Sequence, residues 1–208
     1  MSIKNSIRNI CAGIVFTSGS VNAVTIVDTG PGPSVGGGPI VIPAGYFGSL
    51  TPYGQSLAAE FSIVTSAVVT GIEGWMVSFD GSGQGTIALY SDGGDVPGNE
   101  LFATTFLGPE ELDYSWAGAS GLSWDVSAGT YWVSFEARLG QTLAVAMPGP
   151  SPNPLLNEAF TSTDTGDWIG NDGYDLGVRI SAVPIPAAVW LFSFGLIGLI
   201  GYASHKKA

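Results

Sequence analysis

Histidine and cysteine are almost missing from this sequence, and their absence excludes several kinds of catalytic site. The chain has one cysteine, Cys11, and one histidine, His205, and each lies in a terminal segment. The middle of the chain therefore has no Ser-His-Asp or Cys-His pair for nucleophilic catalysis, and it lacks the ligands typical of a zinc hydrolase. It also forms no internal disulfide, so its fold depends on packing or on a bound metal.

Positive charge is also scarce. The chain of 208 residues has six Lys and Arg residues against 17 Asp and Glu residues. Only Arg138 and Arg179 lie between the terminal segments, where they oppose all 17 carboxylates and leave a net charge of −15. Such a surface repels the phosphates of nucleic acids, so we expect no nucleic-acid partner. Cations, neutral sugars and other proteins remain as partners.

No long segment between Leu57 and Ser181 has the apolar period of a helix. Short alternating runs separated by Gly, Pro and Asp turns indicate β-strands instead. The spacing predicts an all-β domain, an antiparallel β-sandwich of jelly-roll type. The predicted strands are Ile72–Asp80, Thr86–Tyr90, Glu100–Phe106, Leu122–Val126, Thr130–Arg138, Thr142–Met147 and Asp175–Ser181.

The alternation also predicts which side chains share a face. Trp75, Val77 and Phe79 fall on one face of their strand, which indicates one buried side. The short turn after Asp80 predicts that this strand forms a hairpin with the next one. In the strand at 130–138, we expect Tyr131, Val133, Phe135 and Ala137 to point inward and Trp132 to point outward.

The N-terminal segment has the features of a removable export signal. Lys4 and Arg8 precede a short apolar run, and Val21-Asn22-Ala23 resembles a small-residue cleavage site. We therefore predict a signal peptide over 1–23. A lead-in rich in Gly and Pro follows over 24–45, within which a first strand can begin near Val24, and the sandwich occupies 46–182.

The C-terminal segment, 183–208, has the features of a membrane tail. Residues 187–203 contain no charge and are long enough to cross a thin bilayer as a helix. Lys206 and Lys207 follow this transmembrane span and favour a cytoplasmic end, which places the acidic sandwich on the other side of the membrane.

Val183-Pro184-Ile185-Pro186, the apolar run and the basic end together resemble the PEP-CTERM sorting signal. In that family a Pro-x-Pro motif, one span and a basic tail are recognised by an exosortase, a membrane-embedded cysteine protease of Gram-negative bacteria. The resemblance implies that an exosortase is the processing partner here. Ile185 stands where the family's name motif has Glu, and this resembles the aliphatic variant of the motif.

The middle of the chain is similar to the β-rich choice-of-anchor domains that often precede such tails. The similarity lies in LYSDGGDVPGNELF, SAGTYWVSFEA and DLGVRIS. It implies a β-sandwich at the cell surface and no particular biochemical activity.

Four carboxylates near the end of the sandwich are candidate calcium ligands, because Ca²⁺ prefers oxygen ligands. They are Asp164, Asp167, Asp172 and Asp175. Their spacing does not match an EF-hand loop, and Asp and Gly also occupy turns for conformational reasons. The domain requires no cofactor, and calcium is the one ion that the sequence suggests.

Aromatic residues are the candidates for binding a sugar. Trp132 on the outward face of its strand, and Trp116 and Trp168 in loop-like stretches, are placed to stack on a glycan. The alternative is that these rings pack in the core or at its rim.

The sequence therefore predicts an exported protein that is first anchored in the inner membrane of a Gram-negative bacterium and then released to the cell surface or the extracellular matrix. We expect a structural or adhesive role and no enzymatic activity. Two alternatives remain, a carbohydrate-binding module for exopolysaccharide and a glycan-cleaving enzyme that uses paired carboxylates.

Overall fold

A computed structural model describes residues 22–34, 38–110, 112–171 and 173–185. Most of the predicted signal peptide, the span 187–203, Asp172, Pro186, Lys206 and Lys207 lie outside the described residues. No helix among the described residues is long and apolar enough to cross a membrane. The all-β prediction is confirmed, since this part of the chain contains twelve strands and one short 3-10 helix, Gly48–Leu50.

The strands are β1 Val24–Asp28, β2 Ile40–Val41, β3 Leu57–Ile63, β4 Ala67–Ser78, β5 Gln84–Asp92, β6 Pro97–Leu107, β7 Ser115–Val126, β8 Gly129–Glu136, β9 Val145–Ala146, β10 Glu158–Thr161, β11 Trp168–Asn171 and β12 Val178–Pro184.

These strands form two antiparallel sheets of six strands each. The first sheet has the order β1-β12-β4-β9-β2, with β7 also paired to β4, and the second has the order β11-β10-β3-β8-β5-β6. One apolar core lies between the sheets and contains side chains from both, including Ile72 and Ile180 of the first sheet and Ile87 and Phe135 of the second. This arrangement is a β-sandwich.

The pairing of the longer strands is nested. β5 pairs with β6, β4 with β7, β3 with β8 and β1 with β12. Each pair encloses the previous one along the chain, and alternate pairs lie in different sheets. The first and last strands are therefore neighbours, and Val24 lies opposite Ala182.

The structure corrects two of the predictions about β4. The prediction of a hairpin between β4 and β5 is wrong, because β4 pairs within the first sheet and β5 within the second. The connecting turn is long enough to cross the ~10 Å between the two sheets. The buried side of β4 contains Ile72 and Met76, whereas Trp75 and Val77 are half-buried on the outer side and Phe79 is exposed.

Strand β8 is buried on both faces. Val133 and Phe135 point into the core as predicted, and Tyr131 packs against it. Trp132 is on the outward face as predicted, but it is completely buried because other side chains cover that face. In the predicted lead-in, β1 and β2 are strands of the first sheet, so the first strand expected near Val24 is present.

Candidate ligand-binding cleft

A cleft of about 380 Å³ opens on the outer face of the second sheet. Its lining includes three aromatic side chains, Tyr53, Tyr90 and Trp168, together with Glu136 and Arg138. The volume is at the lower end of the range for ligand sites, about 300–1,000 Å³. The cleft therefore fits a small ligand or a short part of a longer one.

The strand register positions the cleft residues. Tyr90 on β5 lies opposite Trp132 on β8, and Thr86 lies opposite Glu136. Because side chains alternate along a strand, Trp132 and Glu136 share the outer face of β8. Trp168 is the first residue of β11, the edge strand at the other end of the second sheet, and its ring reaches Tyr90.

A polar network surrounds the carboxylate of Glu136. The Tyr90 hydroxyl donates a hydrogen bond to Oε1 at 2.8 Å, and the Ser134 hydroxyl donates to the same oxygen. Arg138 Nε donates to Oε2 at 2.7 Å, and its Nη2 bonds to Glu100. The Glu136 side chain is only 9% exposed, so these partners compensate a charge that is costly to bury.

Electrostatics hold two of these groups in one protonation state. Burial raises the pKa of Tyr90 above its ordinary value, and the charge and hydrogen bond of Glu136 raise it further. Burial lowers the pKa of Arg138, but the hydrogen bond and charge of Glu136 outweigh this effect and the net shift is upward. Tyr90 is therefore a neutral hydrogen-bond donor and Arg138 a permanent cation.

The turn after β8 anchors the backbone of Arg138. The Arg138 amide donates to Oε1 of Gln141 at 2.8 Å, and the Gln141 amide group donates to the Thr86 hydroxyl at 2.8 Å. Gly140 in this turn has a φ of 81°, a conformation that glycine adopts without strain. These contacts fix the position from which the guanidinium reaches Glu136 and Glu100.

Of the three predicted sugar-binding tryptophans, only Trp168 lies in the cleft. It begins a strand rather than lying in a loop, and its ring meets Tyr90 edge-on at 6.1 Å between centroids. Trp132 is 0% exposed beneath Ala58, Ala159, Tyr90 and Trp168, so its ring offers no surface to a sugar. Its indole Nε1 is buried and has no hydrogen-bond partner among the described residues.

Trp116 lies on the other side of the molecule, in β7 of the first sheet rather than in a loop. It is half-buried beside Trp75, with 5.5 Å between ring centroids. The guanidinium of Arg179 lies 4.1 Å from its ring centroid. Arg179 also forms ion pairs with Asp28 at 3.4 Å and with Glu73 at 3.8 Å. Trp116 and Trp168 therefore belong to opposite faces of the sandwich.

Three of the four predicted calcium ligands lie among the described residues. Asp164 and Asp167 are exposed in the turn between β10 and β11, and their amides donate to the hydroxyls of Ser162 and Thr165. Asp175 follows β11, and Asp172 lies outside the described residues. No group of three or more His, Cys, Asp or Glu side chains that could hold a metal ion occurs in the part of the chain that the structure describes.

Four residues of the cleft network were not predicted as site residues: Tyr90, Glu100, Glu136 and Arg138. One signal for them was present in the sequence. Arg138 is one of only two cations in the middle of the chain. Because this region has many carboxylates, some of them are expected to pair with each arginine. Tyr90 and Glu136 lie 46 positions apart along the chain, and only the pairing of β5 with β8 brings them together.

The cleft combines groups that bind polar ligands. Aromatic faces stack on the apolar faces of sugar rings, while a carboxylate and a guanidinium accept and donate hydrogen bonds to hydroxyls. Glu136 lines this opening, and Glu100 lies beside it in contact with the lining residue Arg138.

The start of the predicted sorting motif belongs to the fold. Val183 and Pro184 are the last residues of β12, opposite Val68 and Ala67 of β4. The Ile185 amide then donates to the carbonyl of Ser66 at 2.9 Å.

No protein-family model matches this chain, and no curated protein matches its sequence. Its function is therefore inferred from the sequence and from the geometry described above.

Proposed function

We propose that this chain is an exported envelope or extracellular-matrix protein with a structural or adhesive role, sorted through its C-terminal tail by an exosortase. The main supporting observation is that the folded domain runs directly into the tail. Ile185 is still hydrogen-bonded to the β-sandwich. Only Pro186 separates it from the uncharged run 187–203. An anchored precursor would therefore hold the sandwich at the membrane surface.

We further propose that the β-sandwich is a jelly roll. The four nested strand pairs support this assignment, because a jelly roll is an eight-stranded double sheet built from two Greek keys. In this arrangement β1 and β12 lie side by side. The signal peptide and the sorting tail would thus leave the domain from neighbouring strands.

The test is the intact mass and cell fraction of the native protein in cells with and without a working exosortase. With the exosortase, we expect a mature chain outside the cell that lacks 1–23 and the span 187–203. Without it, we expect the span to be retained and the protein to remain in the membrane fraction. Retention of the span in both strains would instead indicate a simple single-span anchored protein.

A second candidate function, binding of exopolysaccharide, is favoured by the composition of the cleft. Three aromatic rings share one opening with Glu136 and Arg138. β-Sandwich proteins that bind sugars commonly combine aromatic platforms with a few polar groups in this way. Such binding is also the direct means by which an adhesive protein holds a matrix.

Affinity electrophoresis through gels that contain a panel of polysaccharides tests this candidate. We expect at least one polysaccharide to retard the protein and Trp168→Ala to abolish the retardation. Phe79→Ala is the matched control, because this ring is 42% exposed but follows β4 of the first sheet. Unchanged mobility across the panel would contradict glycan binding.

We expect the cleft to bind glycans without cleaving them. A glycosidase of this kind needs two carboxyl groups that flank the scissile bond, whereas Glu136 is the one carboxylate among the described residues that line the cleft. An assay for reducing ends over time distinguishes the two functions. Their release by the purified protein, and its loss in Glu136→Gln, would show an enzyme.

A further inference from the structure

The charges in the cleft determine which kind of sugar it can accept. Glu136 lines the cleft and Glu100 contacts the lining residues Tyr90 and Arg138, while Arg138 is the one cation among the described residues that contacts these two carboxylates. Their sum is negative, and the surrounding domain is strongly acidic. Like charges at short range in a partly buried site disfavour an anionic ligand, whereas a neutral ligand meets no such repulsion.

Two nitrogens of the Arg138 guanidinium, Nε and Nη2, already bond to the protein's own carboxylates. Its Nε is bonded to Glu136, and its Nη2 bonds to Glu100 and lies 3.5 Å from the Tyr90 hydroxyl. Arginine holds a carboxylate most strongly through two parallel N–H donors. Here the pair of Nε and Nη2 donors already serves the protein's own carboxylates, so a uronate could use this pair only by displacing Glu100.

From this geometry we infer that the cleft selects uncharged sugar residues and excludes uronates, and that Glu100 is the residue that determines this selectivity. The inference rests on the proposed glycan-binding function and adds the ligand class. Trp168 and Tyr90 supply the stacking surface, and the Glu136 carboxylate supplies a charged acceptor for hydroxyls. Glu100 is exposed on the edge strand β6, so it can be changed without disturbing the core.

The experiment uses the full protein in detergent and pairs of oligosaccharides that differ only in oxidation at C6, such as galactose and galacturonate oligomers, measured by calorimetry. We expect the neutral member of a pair to bind at least about tenfold more tightly at low salt. Glu100→Gln should reduce this ratio severalfold, mainly by improving uronate binding, while Trp168→Ala abolishes binding of both. Glu110→Gln is the matched control for net charge, and we expect it to leave the ratio unchanged.

Three other outcomes would overturn the inference in different ways. Equal or tighter binding of uronates by the unmodified protein would refute the selectivity while leaving glycan binding intact. An equal effect of Glu100→Gln and Glu110→Gln would assign the selectivity to net charge and not to Glu100. Absence of binding across every pair would refute the glycan-binding function itself, and the selectivity with it.

Discussion

The two outer faces of the sandwich have the same set of groups in different surroundings. Each face contains one of the two arginines of the folded region, two carboxylates that pair with it, and a nearby tryptophan. On the second sheet Arg138 bonds to a Glu136 side chain that is 9% exposed, at 2.7 Å. On the first sheet the partners of Arg179 are Asp28 and Glu73, which are 46% and 42% exposed and lie at 3.4 and 3.8 Å.

This difference shows that burial decides what such a cluster contributes. Exposed ion pairs at long distance are screened by water and add little to stability. A buried carboxylate with three partners is fixed in place, and it depends on each of them. The face of Arg138 is therefore the more rigid surface and contains the cleft described above, whereas the ion pairs of Arg179 on the other face are weaker.

The largest difference between the faces should appear when a tryptophan is removed. Trp132→Ala leaves a cavity beneath the cleft, and we expect a loss of about 4 kcal/mol in the free energy of unfolding. Trp116→Ala on the other face removes a half-buried ring and should cost only about 1 kcal/mol. Urea denaturation of both variants measures the contrast, and equal losses would mean that Trp132 is not buried as described.

Removal of each arginine tests the ion pairs themselves. Arg138→Met leaves the carboxylate of Glu136 buried without its cation, and we expect a loss of about 2 kcal/mol, since Tyr90 and Ser134 remain as partners. Arg179→Met should cost less than about 1 kcal/mol, because Asp28 and Glu73 return to water. High salt should reduce the second effect more than the first. A larger loss of unfolding free energy in Arg179→Met than in Arg138→Met, measured by urea denaturation, would contradict this comparison.

Alkaline titration separates Tyr90 from the exposed tyrosines. Its folded pKa is raised, so folding favours the protonated phenol. The resulting stability is complete below the unfolded pKa of about 10 and is lost as the pH rises above it. Tyrosinate absorbance should show a late-titrating phenol that disappears in Tyr90→Phe and remains in Tyr53→Phe. Identical titration curves for the two variants would contradict the network around Glu136.

The sequence predicted the type of fold more successfully than the partners of its strands. It identified β5 and β8, although five consecutive residues of each strand are buried. It missed β3, Leu57–Ile63, whose first five residues are likewise all buried. It also predicted that β4 pairs with β5, because the short connection between them favours a hairpin. In the structure the two strands lie in different sheets.

The cleft was predicted only in part for the same reason. Trp168 was a candidate because it was expected to lie in a loop-like stretch, where a ring can stack on a sugar. The burial of Trp132 was not predictable, since the residues packed around it, Ala58, Tyr90, Ala159 and Trp168, lie at distant positions in the chain. The network of Glu136 likewise depends on the register between β5 and β8, which no local pattern specifies.

The smallest expected effect is that of calcium on the melting temperature, through the acidic turn that contains Asp164 and Asp167. If Asp164 and Asp167 contribute to a calcium site, millimolar calcium should raise the melting temperature by a few degrees, because a ligand that binds only the folded state stabilises it. Asp167→Asn should then abolish the rise, while Asp113→Asn, an acidic position between β6 and β7, should preserve it. A melting temperature unaffected by calcium would refute the predicted site. The acidic turn would then be explained by the conformational preference of Asp and Gly for turns.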